Sequence, residues 1–401
     1  MAKKLNNALG VDIGSQAIKI AEVRMQGSSP TVTAFASAPT PEGAVDHVGI
    51  HDPDAVGSVL KELIARSGVG TNDVVASIAG QGAVLVRTLE VPAMSESELK
   101  QHMEWEITRN IPFAESTVES DFKAFQPEPT NPQNMDVVMA ISPRSAVDTL
   151  IATIKKAGKK PAAIDVEPLG IARVLVTGGG SKFAGKTVCV VHVGHKNTAI
   201  NIYRDGKLLM PRTVPIGGEM TTRAIADNLG TTVEEAEALK RTEGEIPAGA
   251  ALGASNPFEA PAAQSYAPYN PFADPEEAAP APDAEDVAPA APAADEPAPA
   301  AAGSRVYGAM AGIVDEFVAE VRRSVDYFRS KGGEVDLFVV TGGGAKLRGL
   351  AQLLQDALGL PANVLNPFEG INVASGASST PGDPENSEYS VAVGNALHIA
   401  F

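Results

Sequence analysis

Two stretches of this sequence pair a glycine turn with polar side chains at matching positions. Residues 9–20 read LGVDIGSQAIKI and residues 191–202 read VHVGHKNTAINI, so Asp12 falls on His192, Gly14 on Gly194 and Ser15 on His195. Apolar alternation flanks both copies, which predicts a strand, a tight turn and a second strand in each. Such a turn aims backbone N–H groups inward, and glycine lets the main chain come close to whatever sits there. Amides presented in that way suit an anion, most often phosphate. Two turns facing each other, one per half of the chain, could hold a nucleotide's phosphates from both sides. One Asp-x-Gly turn says little alone, because most Asp-Gly pairs simply close hairpins.

Other polar groups stand at positions with chemical potential. Glu167 opens a predicted helix in DVEPLGIARVL, although an acidic residue there usually answers the helix macrodipole. Gly217 and Gly218 lead the helix IGGEMTTRAIADNL. Glu237, Lys240 and Arg241 sit at i, i+3 and i+4 of a helix capped by Thr232 and Glu235, and so share a face, as many solvated ion pairs do. In TGGGAKLRGL, Gly342, Gly343 and Gly344 are predicted to open a helix N-terminus, another ready anion site, with Lys346 close behind.

These groups need an α/β scaffold to position them. Residues 19–23 and 32–36 continue a β-meander from the first turn. Asp52 caps a helix whose Val56, Val59, Leu60, Leu63 and Ile64 share one side, and residues 74–78 form a buried strand. A β-α-β-β-α run follows: a strand at 84–91, a helix capped by Ser95 and Glu98 with Leu99, Met103, Ile107 and Ile111 inward, strands at 119–125 and 137–141, and a helix at 145–157. This order predicts a small inserted subdomain, and insertions on a shared scaffold commonly carry a specific interaction. Further on, a long helix holds Ile313 to Phe328 at helical spacing, residues 335–340 form a buried strand, and a helix SVAVGNALHI closes the chain.

The composition sets limits. A chain of 401 residues can bury substantial cores. No apolar run approaches the roughly 20 residues that span a bilayer, and the N-terminus lacks a signal peptide's apolar core, so a soluble cytoplasmic protein is expected. The formal charge of −17 argues against nucleic acid as a partner. Ten of the carboxylates lie in residues 244–304, an Ala/Pro tract with no Lys or Arg, which is expected to be a disordered linker. NPF occurs twice in that tract, at 256–258 and 270–272, and again at 366–368, a recurrence that chance in a Pro-rich tract explains most simply. The single cysteine, Cys189, lies in an apolar strand and reads as a small core residue.

Taken in order, the two hairpins, the insertion, the D-x-E-P helix start, the E-x-x-K-R helix and the T-G-G-G strand resemble the actin-like ATPase superfamily. That group includes actin, sugar kinases, heat-shock chaperone ATPases, FtsA and MreB. Within it, VRTLEVPAMSESELKQHMEWEITRNIPF, VEPLGIAR and VAVGNAL resemble the PilM family of type IV pilus assembly proteins. The resemblance implies two actin-like, ribonuclease H-like halves around a nucleotide cleft. Residues 1–80 would begin the first half, 81–160 form an FtsA-type inserted subdomain, and 161–180 return through the first half to the crossover. Residues 181–243 and 305–385 would form the second half around the 244–304 linker, and 386–401 would close on the first half.

The resemblance also implies ATP and Mg²⁺ as ligands. Asp12, Gly14, Ser15 and Lys19 would form the first phosphate turn, with Asp12 reaching the metal through water. Gly194, Asn197 and Thr198 would form the second. Gly217 and Gly218 would lie near the phosphates or ribose, Glu237, Lys240 and Arg241 near the sugar and base, and Gly342, Gly343, Gly344 and Lys346 around the adenosine. Glu167 would orient the attacking water. One departure matters: the second turn normally carries an acidic residue where this chain has His192. Loss of one positioned acid or base commonly costs on the order of 10²- to 10⁴-fold in rate, so ATP binding with very slow or absent hydrolysis is expected.

As partners the resemblance implies the N-terminal cytoplasmic tail of the membrane protein PilN, docked in a groove beside the insertion, then other pilus platform components and assembly ATPases. Residues 95–111 and their flanking strands are the expected docking surface. The protein would reach the inner membrane only through PilN and would serve pilus biogenesis and twitching motility. Two rival readings are an FtsA-like division protein, which should carry an amphipathic membrane helix after a tether where this sequence stops at Phe401, and a small-molecule kinase, which needs a general base beyond Glu167.

Overall fold

The computed structural model describes residues 5–27, 29–78, 80, 82–113, 117–127, 131–178, 182–250, 302–377 and 386–401. The first half contains strands β1 (Asn7–Ile13), β2 (Ala17–Gln26) and β3 (Ser29–Pro39), helix α1 (Pro53–Arg66) and strand β4 (Asp73–Ile78). Then come β5 (Leu85–Pro92), α2 (Glu96–Arg109), β6 (Val118–Ala124), β7 (Asn134–Pro143), α3 (Arg144–Lys156), β8 (Lys160–Val166) and α4 (Glu167–Gly178). The second half contains β9 (Thr187–Val193), β10 (Thr198–Arg204), β11 (Lys207–Met210), β12 (Thr213–Val214), α5 (Gly218–Leu229) and α6 (Val233–Glu243). It resumes with α7 (Ala302–Ser330), β13 (Leu337–Thr341), α8 (Leu350–Leu358) and β14 (Ala362–Val364); the chain then returns to the first sheet earlier than residue 385, β15 (Asn372–Val373) pairing in parallel with β3, before α9 (Ser390–Ala396).

The two main sheets repeat one plan. The order β3-β2-β1-β4-β8 in the first matches β11-β10-β9-β13-β14 in the second, each with an antiparallel hairpin followed by parallel strands. The central strand β9 is almost wholly buried and β1 is buried through residues 8–11, as expected where helices cover both faces of a sheet. Apolar runs therefore replace alternation in their sequences. The capping residues act as their types predict: Asp52 accepts from Ala55 N–H, and Ser95/Glu98 and Thr232/Glu235 both complete capping boxes.

Helices α4 and α9 join the halves. Their apolar side chains share one core cluster with both sheets, including Ala8 and Val75 from the first and Val190 and Val339 from the second. The packing is close enough to require glycine: a Cβ on Gly10 would lie 1.9 Å from Ala392 O, and one on Gly394 2.0 Å from Gly170 O. Asn395 donates to Val11 O at 3.0 Å and to Ser77 Oγ at 3.1 Å, tying the closing helix to β1 and β4.

The inserted subdomain is smaller than its predicted run. The three-stranded sheet β5-β7-β6 and α2 have their own core of Val91, Leu99, Met103, Val137, Met139 and Ile141. Helix α3 instead packs on α1, placing Leu150 and Ile154 among Val56, Leu60 and Leu63 of the first half. Its apolar face finds a larger surface there than the small insert offers. Helix α2 stops at Arg109, with Asn110 as its cap, so Ile111 packs beside the core from the following loop.

Other boundaries shift as well. The three glycines 342–344 do not open α8: residues Gly343–Lys346 form a 3-10 turn, and α8 begins only at Leu350 behind a left-handed Gly349. The folded chain also continues past Gly244, since Ile246 is buried and its N–H donates to Arg348 O. Residues 251–301 lie outside the described residues, and with them the NPF copies at 256–258 and 270–272. In the copy at 366–368, Phe368 N–H donates to Asn366 Oδ1 and its ring packs 4.6 Å from that of Phe35. No described helix is long and apolar enough to cross a membrane.

Candidate functional site

The turns after β1 and β9 line one cavity of about 1300 Å³ between the halves. Of the residues expected there, Asp12, Gly14, Ser15, Lys19, Glu167, Gly194, Asn197, Gly217, Gly218, Glu237, Lys240, Arg241, Gly342, Gly343, Gly344 and Lys346 all line it. Thr198 does not. It is fully buried at the start of β10, and its hydroxyl donates to Ile216 O at 2.6 Å. One residue earlier, in the turn before β10, Asn197 lines the cavity.

The glycine turns work through space more than through special backbone angles. Neither Gly14 nor Gly194 has a left-handed φ, but a Cβ would meet Ala17 O at 3.0 Å in the first turn and Asn197 O at 2.8 Å in the second. Their own N–H groups close the turns, onto Ala17 O at 3.1 Å and Asn197 O at 2.9 Å. An anion must therefore take the amides at the tips, at Ser15, Gln16, His195 and Lys196. Gly217 and Gly218 bring α5 against the second turn: Gly218 N–H donates to Gly194 O at 3.0 Å and Glu219 N–H to His195 O at 2.8 Å. A Cβ at Gly217 would sit 2.4 Å from His195 O.

Charges at the floor are paired unequally. Lys19 Nζ lies 3.0 Å from Asp12 Oδ2, across the hairpin from it. Burial works against the Lys19 ammonium, yet Asp12, with Glu388 and Glu167 behind it, raises its pKa above the ordinary value. Burial also raises the pKa of Glu167, opposed by His192, whose Nε2 is 3.8 Å from Glu167 Oε1. That oxygen and His192 Nδ1 are buried without a hydrogen-bond partner in the protein, as atoms waiting for a ligand or water are. The glycine cradle and the unpartnered imidazole nitrogen of His192 fit a polyphosphate ligand, while the Glu167 oxygen, an acceptor, fits a water or another donor.

The α6 trio is tied together. Glu237 accepts from Thr222 Oγ1 at 2.6 Å, Lys240 at 2.6 Å and Arg241 at 2.8 Å. Burial opposes its charge, but these donors prevail and push its pKa down to about 2. Lys240 also donates to Gly218 O at 3.0 Å, which joins α6 to the start of α5. On the other wall a Cβ at Gly342 would lie 2.5 Å from Val193 O, and Lys346 pairs with Glu388 at 2.8 Å. Thr222 and Glu388 carried no motif in the sequence; Thr222 could have been found only as the residue one turn after Gly218.

The cavity runs on into an apolar wing lined by Val45, Ile50, Ile78, Val84, Ala146 and Leu150, between the first half and the insert. From the insert Leu85, Val86 and Arg87 of β5 contribute, with Pro112 from the loop after α2, and α2 itself contributes no lining residue among the described residues. Trp105 on α2 is 56% exposed and stacks under Arg109.

Comparison with known proteins adds the following. The family of type IV pilus assembly protein PilM matches residues 10–267, and that of cell division protein FtsA matches residues 189–394. A solved structure of a PilM–PilN type IV pilus biogenesis complex contains a chain similar to this one, with 26% identity, a TM-score of 0.76 and 99% of each chain covered. Ethanolamine utilization protein EutJ from Carboxydothermus hydrogenoformans, at 13% identity and a TM-score of 0.53, shares the fold. FtsA of Bacillus subtilis is 22% identical over 262 residues, 60% of this chain and 59% of that protein, so this chain spans well under two thirds of that relative's length.

Proposed function

The chain belongs to the family of type IV pilus assembly protein PilM, and on that premise we propose that it is an ATP-binding adaptor of a pilus assembly platform that docks the N-terminal cytoplasmic tail of PilN. The carrying observation is that both glycine turns, with Lys19, Lys240 and the 342–344 turn, line one cavity between the halves. In this reading the tip amides and Lys19 hold the phosphates, Gly217 and Gly218 lie by the phosphates or ribose, Lys240 and Arg241 serve the sugar and base, and Gly342, Gly343, Gly344 and Lys346 border the adenosine.

The tail would occupy the apolar wing between β5 and the first half, an extended segment held by main-chain hydrogen bonds and a few apolar anchors. The solved complex pairs a similar chain with PilN, which supports that partner. Attachment to the inner membrane would then be PilN's, and contacts with other platform components and assembly ATPases would follow from the shared platform. Hydrolysis is slow or absent because His192 stands in the second turn where the resemblance implies an acidic residue, and a neutral imidazole does not supply the carboxylate charge that helps hold the attacking water.

Calorimetry with ATP and, separately, with a synthetic PilN-tail peptide tests the reading. Binding of both is expected, with Val86→Arg, at a half-buried β5 residue of the wing, weakening the peptide's at least about tenfold and leaving that of ATP. Failure of the peptide to bind, with and without ATP, would overturn the adaptor role. Phosphate release at ordinary ATPase rates, abolished in Glu167→Ala, would overturn the claim of slow turnover.

A further inference from the structure

The two halves repeat one fold, so the ends of β1 and β9 are equivalent positions, and they differ in charge. One presents Asp12, opposite Lys19 across its hairpin; the other presents His192, opposite Ala199. Asp12 is neutralised by the ammonium at 3.0 Å. Glu167 is the neighbouring carboxylate, 3.8 Å from the imidazole, and the Nδ1 of His192 is buried without a partner in the protein. Among the described residues no group of three or more His, Cys, Asp or Glu is arranged to hold a metal ion.

A triphosphate held between two free carboxylates needs a divalent cation between the like charges. This floor differs on both sides. Asp12 already has its cation in Lys19, the second carboxylate, Glu167, lies beside the imidazole, and that imidazole can donate a ring N–H straight to a phosphate oxygen, as no ionised carboxylate can. The donor set therefore disagrees with the Mg²⁺ requirement that the resemblance implies.

We propose that this cleft takes a nucleoside triphosphate with little dependence on Mg²⁺, His192 donating to the phosphates where a carboxylate would require a bridging cation. The inference rests on the cleft's being a nucleotide site.

Calorimetry of the full chain with ATP, once in excess Mg²⁺ and once in EDTA, tests it. The two dissociation constants should agree within about fivefold, roughly 1 kcal/mol. His192→Asp should bind ATP in Mg²⁺ and lose more than about tenfold in EDTA. His192→Ala should weaken binding in both buffers. A larger than fivefold loss in EDTA for the unaltered chain overturns the inference, as does His192→Asp with no greater need for Mg²⁺ than its parent. Should that variant fail to fold, the comparison on the unaltered chain decides alone. No binding in either buffer overturns the nucleotide reading itself, and the inference with it.

Discussion

Glu237 and Thr198 show what single side chains do at this cleft. Glu237 ionises more easily in the folded chain than in the unfolded one, so its charge contributes stability above its ordinary value of 4.5 that is lost as the pH falls toward about 2. In Glu237→Gln that part of the acid dependence should vanish, which urea denaturation at pH values across this window would register as a flatter profile. Thr198 is fully buried and does not line the cavity; its hydroxyl donates to Ile216 O. Thr198→Val leaves that carbonyl unpaired in the core and should cost about 1–3 kcal/mol, while ATP affinity stays within about twofold. A large loss of affinity without loss of stability would return Thr198 to the phosphate site.

At the scale of elements the argument turns on close approach. Helices α4 and α9 cross where Gly170 meets Gly394, and α9 meets β1 where Gly10 meets Ala392. A methyl at Gly394 has no room before Gly170 O, so Gly394→Ala should destabilise by at least the roughly 1–3 kcal/mol of an overpacked core, read as a lower urea midpoint. Gly343→Ala, with nothing within 4 Å of its Cβ, is the matched control and should leave the midpoint in place. The helix and strand periods, the caps at Asp52, Ser95 and Thr232, and the two hairpins were all legible from spacing. The end of α2, the fate of α3 and the late start of α8 were not, because an apolar stripe says that a face is buried and not against what.

For the whole molecule the insert is hung from one half and fastened to the other. Its chain enters and leaves the first half around β4 and α3, while Thr88 Oγ1 donates to Leu209 O at 2.9 Å and Asp136 pairs with Lys207 of the second half. Movement of the halves must either carry the insert or release this clasp. Asp136→Ala should raise amide exchange in β5 and β11 while β1 and β9 keep their protection, since the clasp meets the second sheet only at its edge strand β11. Uniform exchange across all four strands would argue that the contact supports the fold at large.

The sequence by itself determined the periodic elements, the repeated glycine turn and the departure at His192, because these depend on residue type and short spacing. All but one of the site residues named from it and from the family resemblance line the cleft, and the glycine turns among them were legible because a turn that brings main chain near an anion needs its glycine locally, whatever lies opposite. Only the tertiary structure decided that Lys19 neutralises Asp12, that Thr222 and Lys240 hold Glu237, and that Thr198 turns inward. Those are meetings of groups from different strands and helices, and their geometry comes from how two sheets pack around α4 and α9, a property that no stretch of chain carries alone.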